Sequence, residues 1–256
     1  MASQPVVLVT GASKGIGFCI ARILITRHGA AVVAFSRSRT VELEQLAREF
    51  PDTLTVVQGD VTSSQSISAA IKTAVDTYGH LDSMVLNAGT LGSIDRISSS
   101  NTSEWKDVFD INFFSLVELI QSALPSLRES KQKGKVIFVS SGAADRGYVG
   151  WGPYSASKAA MNSLCRTLAN EEKEIISVSV RPGAVDTGMQ ATVRAEGINR
   201  MDPSELEKFN TLHSTGKLVK PEECGQVIAG LAVAAMPEMS GKYVSWDDET
   251  LRQFRE

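Results

Sequence analysis

The chain has 256 residues, of which 43% are hydrophobic and 21% charged, and its formal net charge is −3. A chain of this length and composition can bury a large core, which excludes an intrinsically disordered protein, a collagen-like repeat and a disulfide-stapled miniprotein. The 26 basic and 29 acidic residues include no basic run, which argues against a dedicated nucleic-acid-binding protein.

The cysteines and the apolar runs together predict a cytoplasmic protein that is not bound to a membrane. Cys19, Cys165 and Cys224 are far apart and form no Cys-x-x-Cys pair, which favours a reducing compartment and argues against a metal cluster. No apolar run approaches the roughly 18 residues that a bilayer span requires. The stretch before Val6 has neither a basic region nor a cleavage site, so we expect no secretory signal.

Short β-branched runs alternate with longer amphipathic stretches along the chain. The predicted strands are 6–9, 31–35, 54–57, 83–86, 135–139, 177–180 and, near the end, 243–245. The predicted helices cover about 15–28, 40–49, 63–78, 102–129, 154–173 and 221–235. Strand runs with few charges are typical of a parallel sheet that is covered on both faces. The alternation predicts an α/β fold with a doubly wound parallel sheet, and the absence of a linker predicts one domain over 1–256.

The least regular stretch is 190–217, which contains Gly197, Pro203 and Gly216 and a short helix candidate at 203–212. A long connection inside a compact domain often serves as a lid over a binding site. We expect a substrate-binding loop with few apolar contacts of its own, which is mobile until ligands order it. A rigid helical insertion over the sheet edge is the alternative.

The first strand leads directly into a glycine-rich turn, Thr-Gly-Ala-Ser-Lys-Gly-Ile-Gly at 10–17, and a helix follows. Glycine permits the tight turn, the approach of backbone to a pyrophosphate and close packing of helix on strand. The helix amino terminus adds unpaired N–H groups and the positive end of its dipole. The turn therefore predicts a dinucleotide site that includes Gly11, Ser13, Lys14, Gly15, Ile16 and Gly17.

Tyr154 and Lys158 are four residues apart at the start of a predicted helix, so they lie on one face. A tyrosine hydroxyl has a pKa of about 10, and an ammonium group one turn away favours the phenolate and makes the tyrosine a usable acid or base. Ser141 follows the fifth strand, at the sheet edge where such folds bind ligands. Ser140 is the alternative serine, and an ordinary surface pair is the alternative for Tyr154 and Lys158.

The Gly-x-x-x-Gly-x-Gly spacing, the 13 residues from Ser141 to Tyr154 and the Tyr-x-x-x-Lys motif together resemble the short-chain dehydrogenase/reductase superfamily, which has a Rossmann fold. The resemblance implies that Ser141 orients a substrate carbonyl and that Tyr154 exchanges the proton. It implies that Lys158 lowers the pKa of the tyrosine and holds the nicotinamide ribose. It also implies that Asn112, within Asp-Ile-Asn-Phe at 110–113, anchors a proton-relay water.

The same resemblance extends the cofactor site to the turns after the third, fourth and sixth strands. These turns add Asp60, Val61, Asn87, Ala88, Gly89, Pro182, Gly183, Val185 and Thr187. In the family the aspartate meets the adenine ring and the last two positions hold the nicotinamide. From the residues alone, Asp60 is equally a turn former, Asn112 a helix-bending polar residue and Pro182–Gly183 a simple turn.

The segment after the second strand, at 33–39, lacks the acidic residue that binds the adenosine ribose in NAD-preferring members. It contains Arg37 instead, and Lys14 precedes the second glycine of the turn. Basic side chains are expected where a 2′-phosphate must be neutralised. We therefore expect NADP(H) as cofactor, with merely solvated Lys14 and Arg37 as the alternative.

The segments 139–143, 150–152, 185–190 and 240–243 resemble the sepiapterin reductase and benzil reductase branch, particularly its fungal members. The resemblance implies NADPH-dependent reduction of a small-molecule ketone or 1,2-diketone, with Tyr154 as proton donor. It also implies a homodimer or homotetramer that packs through helices 102–129 and 154–173, without nucleic-acid or membrane partners. The alternatives are an NAD-dependent alcohol dehydrogenase and a non-catalytic dinucleotide-sensing regulator.

Several apolar residues near the catalytic motifs are candidates for an aromatic-friendly substrate pocket or for ordinary core. They are Tyr148, Val149, Trp151, Met189, Met201 and Phe209. Asp248 aligns with the carboxylate that grips the pterin ring in sepiapterin reductases, although a solvated acidic residue near the end of the chain is the favoured interpretation.

Overall fold

The computed structural model describes residues 4–255, whose strands form one parallel sheet of seven in the order β3-β2-β1-β4-β5-β6-β7. The strands are β1 (Val6–Thr10), β2 (Ala31–Ser36), β3 (Leu54–Gln58), β4 (Ser83–Leu86), β5 (Gly134–Val139), β6 (Ile175–Arg181) and β7 (Tyr243–Ser245). All pairings are parallel, and the order reverses between β1 and β4. The predicted doubly wound α/β sheet is confirmed.

Helices cover both faces of the sheet. They are α1 (Gly15–His28), α2 (Val41–Glu49), α3 (Ser64–Tyr78), α4 (Thr102–Phe109), α5 (Ser115–Arg128), α6 (Gly152–Glu171), α7 (Gly188–Glu196), α8 (Pro203–Ser214) and α9 (Pro221–Ala234). Local sequence sets several ends. The hydroxyl groups of Thr40 and Ser63 each accept a hydrogen bond from the N–H of the third residue of α2 and α3. Helices α1 and α3 end at Gly29 and Gly79, both with positive φ.

The core consists of two apolar layers, one on each side of the sheet. Successive residues of a strand point to opposite faces, so Val7 and Val9 pack with α1 and α9, whereas Val6 and Leu8 pack with α3, α5 and α6. Short 3₁₀ turns at Gly142–Ala144, Pro237–Met239 and Glu249–Phe254 complete the described part of the chain.

The helix predicted at 102–129 is divided by a π-helical turn, Asp110–Phe114, between α4 and α5. A π turn contains one residue more than the α-helical repeat, and such turns often lie at functional sites. Within residues 4–255, the continuous segment Thr102–Arg128 is the helix whose length and composition would suffice to cross a membrane. Some of its apolar side chains, such as Leu116 and Leu119, are buried against the sheet, whereas Phe114 is exposed.

The expectation that 190–217 is a loop with few apolar contacts is wrong. The segment contains most of α7 and all of α8, which extends the predicted helix 203–212. Val193, Met201 and Phe209 are buried in a third apolar cluster that also contains Trp151 and Tyr154. Helix formation satisfies the polar backbone within the segment itself, so its apolar side chains can pack although polar residues dominate the sequence.

Candidate active site

The carboxyl ends of the central strands open onto one cleft with a volume of about 880 Å³. Such a position, beside the reversal of strand order, is where doubly wound sheets bind ligands. The predicted site residues that line it are Gly11, Ser13, Lys14, Gly15, Ile16, Arg37, Asp60, Val61, Asn87, Ala88, Gly89, Ser141, Tyr154, Lys158, Pro182, Gly183, Val185 and Thr187. Gly17 and Asn112 do not line the cleft and lie behind it.

The glycines after β1 form a cradle in which side chains would collide. Gly11 and Gly15 have φ values of 66° and 56°. A Cβ atom on Gly17 would lie 2.3 Å from the main-chain oxygen of Gly11, and one on Gly11 would lie 2.9 Å from Nδ2 of Asn87. The turn therefore requires glycine, and it directs the amino terminus of α1 into the cleft as an anion-binding surface.

Thr10, the last residue of β1, fastens the glycine turn to the turn after β4. Its hydroxyl oxygen accepts hydrogen bonds from the main-chain N–H groups of Asn87 (2.9 Å) and Ala88 (3.0 Å). In return, Nδ2 of Asn87 donates to the main-chain oxygen of Thr10 at 2.9 Å. Sequence reasoning noted Thr10 only as part of a motif, because its partners lie far along the chain.

At the end of the cleft near β2 and β3, the carboxylate of Asp60 is held by its own turn. Oδ1 accepts hydrogen bonds from the main-chain N–H and the hydroxyl group of Thr62, both at 2.9 Å. These bonds, led by the main-chain one, and the charge of Arg37 lower the pKa of Asp60. The contacts of Asp60 are those of a turn-forming residue. Asp60 also lines the cleft, together with the exposed Arg37.

Ser141 and Tyr154 both line the middle of the cleft, and their side chains lie close to each other. Burial raises the pKa of Tyr154, and the nearby Ser141 hydroxyl opposes this shift. The neighbouring Ser140 is engaged elsewhere, because its hydroxyl donates to Oδ1 of Asn162 at 2.8 Å in the core. The Tyr243 hydroxyl donates to the main-chain oxygen of Ser141 at 2.8 Å and so supports the loop that carries it.

Lys158 is buried, and its ammonium group donates a 2.8 Å hydrogen bond to the main-chain oxygen of Val139, at the end of β5. Burial lowers the pKa of Lys158 to about 8. The same nitrogen lies 5.8 Å from the centroid of the Tyr154 ring. Helix α6 thus brings the two side chains to the floor of the cleft, as their spacing predicts.

Asn112 lies in the π-helical turn and holds the loop after β4. Its Oδ1 accepts from the main-chain N–H of Thr90, and its Nδ2 donates to the main-chain oxygen of Thr90, both at 2.8 Å. Nδ2 also donates to the Ser157 hydroxyl at 3.1 Å. A Cβ atom on Gly89 would lie 3.2 Å from Oδ1 of Asn112 and 3.7 Å from Nζ of Lys158. Asn112 and Lys158 therefore leave little space for a side chain at position 89.

The turn after β6 closes the opposite end of the cleft. Gly183 has a φ of 82°, and Val185 pairs with Val219 in an isolated parallel bridge. Thr187 immediately precedes α7, and its Cγ2 would lie 3.4 Å from a Cβ atom on Gly15. Trp246, which sequence reasoning missed, also lines the cleft, with its Nε1 3.2 Å from the Cβ position of Gly183.

Aromatic rings form the wall next to Tyr154. The Trp151 ring stacks on Phe209 at 5.7 Å and lies 4.7 Å from the Tyr148 ring and 5.8 Å from the Tyr154 ring. Met189 lines the same cleft. The candidate pocket residues therefore fall into two groups. Tyr148, Trp151, Phe209 and Met189 line the cleft. Met201 belongs to the core, and Val149 donates its N–H to Glu205.

Asp248 does not line the cleft. Its Oδ1 accepts from the main-chain N–H and the hydroxyl group of Thr250 and so caps the last 3₁₀ turn. The preceding residue, Asp247, is the acidic side chain of this segment that lines the cleft. The geometry thus favours a structural role for Asp248 over contact with a substrate.

The arrangement fits a dinucleotide cofactor and proton transfer at its reactive end. The glycine cradle leaves space for phosphates to approach the main chain, and the cations Lys14 and Arg37 at the β2 end complement a negatively charged ligand. The hydroxyl groups of Ser141 and Tyr154 can donate hydrogen bonds to an acceptor atom in the cleft.

Comparisons with known proteins show which family the chain resembles. The sequence profile of the short chain dehydrogenase family matches residues 5–197. An uncharacterized oxidoreductase of Schizosaccharomyces pombe is 43% identical over 245 residues, which cover 95% of this chain and 97% of that protein. A benzil reductase ((S)-benzoin forming) of Saccharomyces cerevisiae is 36% identical over 255 residues, covering 96% and 97%.

Solved structures give the same result. The crystal structure of a short chain dehydrogenase/reductase from S. cerevisiae has a TM-score of 0.94 at 36% identity and covers 99% of this chain and 100% of that one. A second S. cerevisiae structure, described as a cytoplasmic protein, has a TM-score of 0.82 at 36% identity, covering 99% and 100%. A Shigella flexneri relative complexed with NADP has a TM-score of 0.78 at 27% identity, covering 96% and 98%.

Sequence, fold and site geometry therefore lead to one assignment: this chain is an oxidoreductase that belongs to the short-chain dehydrogenase family.

Proposed function

We propose that the protein reduces the carbonyl group of a ketone or 1,2-diketone to an alcohol with NADPH. The observation that carries the proposal is that Ser141 and Tyr154 lie together in the cleft beside buried Lys158. A dinucleotide-sensing protein without catalysis has no need for this combination.

In the proposed reaction the bound cofactor supplies a hydride to the carbonyl carbon. The hydroxyl groups of Ser141 and Tyr154 donate hydrogen bonds to the carbonyl oxygen, which polarises the bond and fixes the orientation. Tyr154 then gives its Oη proton to that oxygen as negative charge develops on it. The Lys158 ammonium group, 5.8 Å from the tyrosine ring, stabilises the resulting phenolate.

Asn112 and Asn162 act by positioning in this proposal. Asn112 fixes the loop at Thr90, and its role as anchor of a proton-relay water stays a prediction. Asn162 accepts hydrogen bonds from Ser140 (2.8 Å) and Ser179 (2.6 Å) and so joins the ends of β5 and β6 next to Ser141.

The preference for NADPH is supported by the residues around the β2 end of the cleft. Arg37 and Lys14 are exposed there, and no acidic residue stands between β2 and Thr40 to bind a ribose 2′-hydroxyl. A 2′-phosphate between these cations would accept charge-assisted hydrogen bonds. The Shigella relative that is complexed with NADP supports the same preference.

A flat aromatic substrate is supported by the wall of Tyr148, Trp151 and Phe209. Benzil is a 1,2-diketone with a phenyl ring on each carbonyl carbon, so the substrate of the S. cerevisiae benzil reductase could pack against such aromatic rings. A cytoplasmic location is supported by the yeast structure described as a cytoplasmic protein.

We also propose a homodimer or homotetramer. Helix α4 and the π turn expose an apolar groove of about 420 Å³ that is lined by Trp105, Phe109 and Phe114. Phe114 is 56% exposed, and exposed aromatic patches often mark contacts between subunits.

Oxidation of NADPH at 340 nm with benzil as substrate tests the proposed reaction, and Tyr154→Phe is the diagnostic variant. We expect the variant to lose about 10²- to 10⁴-fold in kcat while it still binds NADPH. Near-normal turnover in Tyr154→Phe would show that Tyr154 is not the proton donor. Turnover with NADH but not NADPH would instead support the NAD-dependent alternative.

A further inference from the structure

Basic side chains flank the outer part of the aromatic wall. Arg146, from the loop before α6, and Lys208, from α8, both line the cleft and are exposed. The Arg146 guanidinium lies over the Tyr148 ring, 5.8 Å from its centroid. Lys208 adjoins Phe209, whose ring is 5.9 Å from the Tyr148 ring. The loop and the helix thus present two cations beside the same aromatic surface.

The acidic residues near these cations are occupied by other partners. Glu205 accepts the N–H of Val149 and Glu207 accepts the Thr211 hydroxyl, while the Asp145 carboxylate lies near the Tyr243 hydroxyl. Within residues 4–255, neither Arg146 nor Lys208 takes part in an ion pair. Both cations are therefore available to a ligand.

The acidic side chains that line the cleft lie elsewhere along it. They are Asp60, after β3, Asp186, next to Val185, and Asp247, after β7. The part of the lining formed by Tyr148, Trp151 and Phe209 accordingly combines an apolar surface with two lining cations, while the nearby carboxylates do not line the cleft. A neutral aryl ketone would pack against the aromatic surface but would form no ionic contact with the cations.

Resting on the function proposed above, we propose that the natural substrate is an aryl ketone that carries a carboxylate, and that Arg146 and Lys208 bind this carboxylate. The rings of Trp151 and Tyr148 connect Tyr154 to Arg146 through successive contacts, so we expect the carboxylate on the aryl ring and not next to the reacting carbonyl. A guanidinium held over an aromatic ring keeps its N–H edge free to meet a carboxylate.

The test compares 4-carboxybenzil with its methyl ester, which differ in charge and share the diketone. We expect kcat/KM to be about five- to tenfold higher for the acid at low ionic strength, because two solvent-exposed cations each contribute modestly. The preference should fall towards one at about 0.5 M salt, where exposed charges are screened.

The double variant Arg146→Ala with Lys208→Ala should reduce the acid-to-ester ratio to about one. Lys131→Ala is the matched control, because Lys131 is an exposed cation that precedes β5 at the opposite end of the sheet, and it should keep the wild-type ratio. A wild-type ratio of one, or an unchanged ratio in the double variant, overturns the proposal. A loss of NADPH affinity in the double variant also overturns it, because the two cations would then belong to the cofactor site.

Failure of the reaction itself is separable from failure of the carboxylate site. If no diketone is reduced, calorimetric binding of the acid and the ester to the NADPH-loaded protein still measures the preference. A preference for the acid that the double variant removes would support the site, while equal affinities would reject it. If benzil and the ester are reduced as well as the acid, the reductase function stands and the carboxylate site does not.

Discussion

The ammonium nitrogen of Lys158 lies 5.8 Å from the centroid of the Tyr154 ring, and both side chains are buried. Burial shifts the two pKa values in opposite directions, since it disfavours the charged form of each group. It raises the pKa of Tyr154 and lowers that of Lys158 to about 8. In the protein without ligands the neutral tyrosine is thus favoured, which suits a proton donor.

The lowered pKa of Lys158 predicts a pH dependence of stability. Between about pH 8 and the ordinary lysine value of 10.5, the unfolded chain binds more protons than the folded chain. The free energy of unfolding contributed by Lys158 therefore rises with pH in this window, by about 2 kcal/mol from pH 7.5 to 9.5. Urea unfolding of the wild type and of Lys158→Met at both pH values measures this rise, which Lys158→Met should lack.

The buried thiols act in the opposite direction, which makes the comparison with Lys158→Met necessary. Burial raises the pKa values of Cys19 and Cys224 to about 12 and that of Cys165 to about 11. Above about pH 9 the unfolded chain loses thiol protons that the folded chain keeps, so this contribution to stability falls as the pH rises. It is common to both proteins and cancels in their difference. An identical pH dependence of both proteins would contradict the Lys158 prediction.

Arg37→Ala should discriminate between the two nicotinamide cofactors. We expect NADPH affinity to fall about 10- to 100-fold and NADH affinity to change little, because a charge-assisted hydrogen bond contributes about 1.5–3 kcal/mol and only NADPH carries the 2′-phosphate. Fluorescence titration with both cofactors measures the effect, and Arg39→Ala is a control, since Arg39 is paired with Glu44. Equal losses for NADPH and NADH would make Arg37 a structural residue.

Met201→Ala should loosen α7 and α8 selectively. Met201 is 4% exposed and packs in the third apolar cluster without lining the cleft. Removing a buried methionine side chain typically costs about 2–5 kcal/mol, and here the cost falls on a small cluster at the edge of the fold. Hydrogen exchange over 190–217 should therefore accelerate while exchange in β1 and β4 stays slow. Exchange that is already fast in the wild-type protein would restore the mobile-loop expectation.

Phe114→Glu should weaken the proposed assembly. The substitution places a charge on the exposed groove of Trp105, Phe109 and Phe114, and burying an unpaired charge between subunits is strongly unfavourable. Light scattering at micromolar concentration should give a multiple of the 27.5 kDa chain mass for the wild type and a smaller mass for the variant. A wild-type mass of one chain would refute the assembly.

The sequence by itself determined which segments form strands and where the glycine turn lies. Runs such as Val6–Thr10 and Ala31–Ser36 are buried on both faces, and continuous burial leaves an uninterrupted apolar pattern that can be read locally. The spacing of Tyr154 and Lys158 was equally readable, since four residues make about one helical turn. The choice of Ser141 over Ser140 followed from family spacing. The structure gives a physical contrast, because the Ser140 hydroxyl donates to Asn162 while the Ser141 side chain lies near Tyr154.

Only the tertiary structure decided what the polar connection 190–217 does and which distant residues share the cleft. Thr10 and Asn87 are joined across 77 positions, and Val149 and Glu205 across 56. Arg146 and Lys208 likewise come to line the same aromatic wall only because α8 packs on the loop before α6. Hydrophobic periodicity reports which face of an element is buried, but it carries no information on the partner. Contacts between residues far apart in the chain are fixed by packing of whole elements, so they emerge only from the folded structure.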